Sequence, residues 1–176
     1  MATSSDDAPL IRPIAEADWP QVHALVVEVA AAGDTYAMEV PRSEAETRDL
    51  WTGEHVVVAV DGEQLLGSAR MGPNRPAQGA HVGTASFMVA TAARGRGIGR
   101  LMGEYAVRWL SSQGFAAIQF NAVVSTNAAA IRLWRSLGFE TIGVVPDAFR
   151  LPGGRGGTSY ADLHVMYLRM KDSPGD

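Results

Sequence analysis

Arg94-Gly95-Arg96-Gly97-Ile98-Gly99-Arg100 sets three glycines among three arginines within seven residues. Glycine admits positive φ angles and close backbone approach, so successive N–H groups can converge on one point. A helix starting at the end of the turn adds the positive end of its dipole. Arg94 and Arg100 are placed to add charge-assisted contacts, while Arg96 either does the same or points to solvent. That density of donors suits a pyrophosphate. The spacing is not that of a dinucleotide-binding fingerprint after a first strand, and the Gly-Lys-Ser/Thr of a triphosphate loop is absent.

A strand that ends near Val89 and a helix that starts near Gly99 must hold this turn. Upstream, Leu10 to Ile14 reads as a strand. Asp18 is placed to cap a helix carrying Val22, Leu25, Val26 and Val29, which Gly33 ends. Ser43 with Glu46 three residues later has the capping-box spacing for a second helix reaching about Trp51. His55–Val60 and Gln64–Met71 flank Asp61-Gly62, a hairpin signal. Ala80–Val89 is the fourth strand. Downstream, Ala116–Val124 is a strand, Thr126 or Asn127 caps a helix through Leu137, and Gly138 terminates it. Phe139–Val145 and Asp162–Met170 are the last strands, joined by a glycine-rich loop over Pro146–Tyr160 that reads as functional or mobile.

The predicted class is mixed α+β: a twisted, mostly antiparallel sheet of about seven strands with helices on both faces. With 176 residues, 47% of them hydrophobic, the chain can bury one core. One domain over 10–170 is expected, with disordered tails at 1–9 and 171–176. The net charge of −4 argues against broad phosphate neutralisation, so no nucleic-acid partner is expected. Without cysteine there is no thiolate zinc site and no acyl-cysteine route, and no metal is expected. The acidic start is unlike a secretory signal and no apolar run has the length of a membrane span, so a cytoplasmic protein is expected.

The turn resembles the acetyl-CoA motif of the Gcn5-related N-acetyltransferases, Arg/Gln-x-x-Gly-x-Gly/Ala after a strand, through Arg94, Gly97 and Gly99. Asn127 to Phe139 is similar to the same family's Asn-x-x-Ala-x-x-x-Tyr-x-x-x-Gly-Phe segment, matching at Asn127, Ala130, Gly138 and Phe139. The resemblance implies a splay between the fourth and fifth strands for the thioester of acetyl-CoA. It further implies backbone pairing of the pantetheine arm near Met88 and Val89, and pyrophosphate held by Gly95 to Arg100. Asn127 would contact the arm from the other side.

Trp134 stands where the family often has the Tyr assigned as acid for the leaving thiolate. An indole N–H does not release a proton at working pH, so Trp134 reads as an aromatic packed under the cofactor. The same region is similar to a subgroup that includes fungal acetyltransferases of proline analogues. By that likeness Asn121 binds the acceptor's carboxylate or amide, unless it is a satisfied structural polar group.

Acyl transfer to an amine needs a base, an oxyanion donor and a departing thiolate. A backbone N–H near Met88 or Val89, exposed by a family bulge, is the expected oxyanion donor. Asp34, Glu39, His81, Asp162 and His164 are the candidate bases, and spacing singles out none. Tyr36 and Tyr160 fall in the segments expected to flank the acceptor, with packing the favoured role for both. The expected acceptor is a small-molecule amine, with a protein N-terminus or lysine and a catalytically weak CoA-binding module as alternatives. The apolar last strands read as core first and as a homodimer surface second.

Overall fold

The computed structural model describes residues 8–153 and 159–170. In chain order the elements are β1 (Leu10–Pro13), α1 (Trp19–Ala32), α2 (Glu44–Leu50), β2 (His55–Asp61), β3 (Gln64–Pro73), β4 (Val82–Val89), α3 (Ile98–Ser112), β5 (Ala117–Val124), α4 (Ala128–Ser136), β6 (Glu140–Arg150) and β7 (Tyr160–Arg169). They form one seven-stranded sheet in the order β1-β2-β3-β4-β5-β7-β6. Every neighbouring pair is antiparallel except β4 with β5. The predicted class is therefore observed. Among the described residues, no helix is long and apolar enough to cross a membrane.

The local signals act as their chemistry dictates. Ser43 Oγ accepts from Glu46 N–H at the start of α2, and Asn127 Oδ1 accepts from Ala130 N–H at the start of α4. Gly33 and Gly138 end α1 and α4 with φ of 64° and 96°. Helix α1 lays Val22, Leu25, Val26 and Val29 on one sheet face against Val58, Val60, Leu65 and Met88. On the other face α3 and α4 bury Met102, Ala106, Leu110, Ile131 and Trp134.

Two expectations are corrected. Asp18 makes no side-chain cap for α1; its carboxylate instead takes two hydrogen bonds from Arg12, at 2.6 and 2.8 Å, and one from Ala15 N–H at 2.7 Å. Strand β6 also does not stop at Val145 but runs through Pro146 to Arg150, the register shifting between Val145 and Phe149. Pro146 falls in that irregularity of an edge strand, where no ladder pair is made and a proline is tolerated. The glycine-rich connection is thus shorter than Pro146–Tyr160, and its positions 154–158 lie outside the described residues, as do most of the two expected tails.

Candidate active site

Strands β4 and β5 pair only at Val82 with Ala117 and Gly83 with Ile118, and then diverge. On the α3–α4 face the space between them is filled by aromatic rings. Phe87 of β4 meets Phe120 of β5 edge-on at 5.8 Å, and Trp134 lies 4.8 Å from Phe87 and 4.9 Å from Phe120. Trp134 sits on Gly103 of α3, where a Cβ would come within 2.8 Å of its ring. The buried Trp134 is therefore the floor of the splay.

The register of β4 decides which backbone groups face that gap. Ala90 N–H bonds Leu66 carbonyl and Asn74 N–H bonds Val82 carbonyl. With the register unbroken between them, Met88 exchanges its hydrogen bonds with Ser68, while Phe87 and Val89 point theirs toward β5. This corrects the assignment of Met88 as oxyanion donor. Its N–H belongs to the ladder, and β4 pairs with β3 without the expected bulge. Val89 is the residue whose N–H faces the gap without a ladder partner.

Phe87 also faces the gap, but its groups are taken. The Tyr36 hydroxyl donates to Phe87 carbonyl at 2.8 Å and accepts from Phe87 N–H at 2.9 Å. Tyr36 arrives from the irregular segment after α1, and its ring meets Trp51 edge-on at 6.2 Å. Burial pushes its ionisation up to about 12, against the opposing pull of its Phe87 hydrogen bond and the Arg70 charge. Packing alone does not describe this side chain.

Below the gap lies the glycine turn. Gly95 and Gly97 hold φ of 78° and 80°, and a Cβ on either would meet no atom within 4 Å. Helix α3 has no side-chain cap. Its first internal bond is Leu101 N–H to Gly97 carbonyl, so the N–H groups of Ile98, Gly99 and Arg100 project from its start without helical acceptors. Arg96 is paired with Asp61 at 2.7 Å, and Arg100 contacts Glu104 and Ser136. Arg94 is the exposed cation of the turn with no ion pair among the described residues.

The other predicted site residues are scattered. Asn121 is exposed on β5, donating to Asn74 Oδ1 and accepting from Gln119. Glu39 is exposed in the irregular segment. Asp162 Oδ1 accepts from Asp147 N–H at 3.0 Å, where Asp147 has a φ of 53°, so this carboxylate holds the bulge of β6. His81 contacts Gln78 carbonyl just before Val82, at the closed end of the splay. His164 lies 3.5 Å from Thr141, and Tyr160 is exposed at the start of β7. Asp34 alone among the candidate bases has a buried side-chain oxygen, Oδ1, with no hydrogen-bond partner.

Sequence reasoning missed Arg70. Its side chain lines a cavity of ≈ 150 Å³ on the α1–α2 face with Thr52, Glu54, Thr84 and Ser86. A second cavity, of ≈ 310 Å³, is lined by Tyr36, Met38 and Phe149. No periodicity or motif marks an arginine in the middle of a strand, and only the pairing of Arg70 with Ser86 brings it beside Phe87.

A divergent parallel pair, an open strand edge and an uncapped helix entered through glycines define an acyl-CoA-type transferase fold. The family model described as Acetyltransferase (GNAT) family matches residues 18–139, and the chain belongs to that family. It is an acyltransferase with acetyl-CoA as donor. A GCN5-related N-acetyltransferase from Kribbella flavida is 47% identical with a TM-score of 0.86, covering 93% of this chain and 98% of that one. The L-methionine sulfoximine/L-methionine sulfone acetyltransferase of Pseudomonas aeruginosa is 32% identical over 171 residues, 91% of this chain and 94% of the relative. A ribosomal-protein-alanine N-acetyltransferase from Brucella melitensis is 30% identical with a TM-score of 0.76, covering 92% and 99%.

Proposed function

We propose that this chain transfers the acetyl group of acetyl-CoA to a small-molecule amine by direct attack within a ternary complex. The observation that carries this reading is the open edge of β4, where Val89, beyond the Phe87 groups held by Tyr36, turns its backbone to a gap above the glycine turn. Bound acetyl-CoA supplies a thioester and a thiolate leaving group. The free N–H groups of Ile98, Gly99 and Arg100, with Gly95 and Gly97 giving clearance, suit a pyrophosphate. Arg94 adds charge there, and Asn127 flanks the arm from α4. Arg96 and Arg100 act through the shape of the turn, since both already hold partners.

Val89 N–H donates to the carbonyl oxygen as negative charge develops on it. The buried Oδ1 of Asp34 accepts the amine's proton, directly or through water, because an ammonium cannot attack. The Tyr36 phenol is neutral at ordinary pH and orients the reacting groups from its seat on Phe87. The chain has no cysteine for an acyl-enzyme, in keeping with a single displacement. A thiol of pKa about 8.5 departs as thiolate without the family's Tyr acid, whose position Trp134 fills.

The small-molecule acceptor is supported by two compact cavities, ≈ 310 Å³ at Tyr36 and ≈ 150 Å³ at Arg70, rather than a long groove. The Pseudomonas relative, named for two amino-acid derivatives, points the same way. The name of the Brucella relative favours a second reading, acetylation of a protein N-terminus. Free-thiol release from acetyl-CoA separates them. Turnover with α-amino acids or amine antibiotics is expected, and turnover confined to peptides would overturn the small-molecule reading.

A further inference from the structure

Resting on the transfer to a small amine argued above, we propose that Arg70 anchors a carboxylate of the acceptor, so that the substrate is an amino acid. Among the described residues, the other arginines that lack a carboxylate partner are all exposed on the surface. Arg70 is half-buried, and its Nε is a buried donor with no partner at all. One guanidinium nitrogen is fixed by Thr52 carbonyl at 2.9 Å, and the group lies over Trp51 at 5.4 Å from the ring centroid. A fixed, stacked guanidinium with spare donors is arranged for bidentate capture of a carboxylate. Glu54 lines the same cavity without an ion pair to Arg70, so no carboxylate of the described chain occupies the place.

The position matches the reaction. Arg70 lies opposite Ser86, and Ser86 precedes Phe87, whose backbone holds the Tyr36 hydroxyl. The Arg70 charge is felt at the Tyr36 hydroxyl, which places cation and open edge in one neighbourhood. The hydroxyls of Thr84 and Ser86 on the cavity wall supply further polar partners.

The test is calorimetric titration of the CoA-loaded protein with the common α-amino acids and L-methionine sulfone, each beside its carboxamide. At least one acid is expected to bind tenfold or more tightly than its amide. Arg70→Ala is expected to abolish that preference while leaving CoA affinity and amide binding unchanged, and Arg70→Lys to restore part of it. If no acid is preferred to its amide, or if Arg70→Ala retains the preference, the proposal is overturned. Thermal melting and CoA affinity of each variant report whether it folds, and Arg70→Gln, which keeps much of the volume, replaces any variant that does not. Thiol release on the same panel distinguishes the two readings: selective acid binding without turnover would overturn acetyl transfer and keep the carboxylate site.

Discussion

The Tyr36 hydroxyl bridges both backbone groups of Phe87, at 2.8 and 2.9 Å, across 51 positions of sequence. A single phenol thereby completes the hydrogen bonding of a strand edge that β5 has left. The bridge couples stability to the site, and its removal has two readable effects.

Tyr36→Phe leaves a donor and an acceptor of Phe87 unpaired, which costs about 1–3 kcal/mol. At about 2–4 °C per kcal/mol for a chain of this size, the midpoint falls by about 2–12 °C. The phenol's ionisation is raised from 10.0 to about 12, chiefly by burial. Its stabilising contribution is therefore complete below pH 10 and is lost as pH rises from 10 toward 12. Alkaline unfolding of wild type and variant, followed by circular dichroism, should converge over that window.

Asp34→Asn removes the proposed proton acceptor while keeping shape. A general base contributes about 10²–10⁴-fold, so kcat should fall by about 10²-fold or more with acetyl-CoA affinity retained. Steady-state kinetics beside CoA calorimetry checks both halves.

Asp18 is held below its ordinary 3.8, first by hydrogen bonds from the Arg12 guanidinium and further by Ala15 N–H, with burial opposing. Its contribution to stability is present above the unfolded value and lost as pH falls through the depressed one. Asp18→Asn should cost about 1–2 kcal/mol at neutral pH, discounted because Arg12 is partly exposed, and the difference should close in acid titration. Chemical denaturation at neutral and acid pH measures it.

Trp134→Ala opens a cavity under Phe87 and Phe120, and large-to-small aromatic changes cost about 3–5 kcal/mol. Denaturant midpoints report the loss. Trp134→Tyr should fold and bind CoA, and with no acid role for position 134 in this chain it should not raise kcat.

What the sequence made legible is what acts over short range. The Asp61-Gly62 turn, the caps at Ser43 and Asn127, and the left-handed ends at Gly33 and Gly138 each follow from a residue and its immediate neighbours. The turn at 94–100 belongs with them, since Gly95 and Gly97 are free to take the positive φ that it uses. Asp18 was misread as a cap, and the Asp147 N–H that Asp162 accepts was not foreseen, because a carboxylate has several donors to choose from and these become available only through folding. Tyr36 was placed in the right segment but given packing instead of its Phe87 bridge, and Arg70 was missed, because the partners of both lie across the sheet. The parity that commits Met88 to Ser68 and turns Val89 outward is fixed by the β3–β4 register, which no local pattern reveals.

Acetyl transfer as proposed depends on the backbone of 94–100 holding a diphosphate. Calorimetric titration with CoA of the wild type, Gly97→Val and a Gly97→Val/Gly99→Val pair tests it most directly, with folding checked by melting. Wild type should bind, and a side chain forced into the φ of 80° at Gly97 should weaken binding by about tenfold or more, given about 1.4 kcal/mol per decade. Wild-type protein that takes up no CoA, or folded variants with undiminished affinity, would show that this turn does not hold the diphosphate.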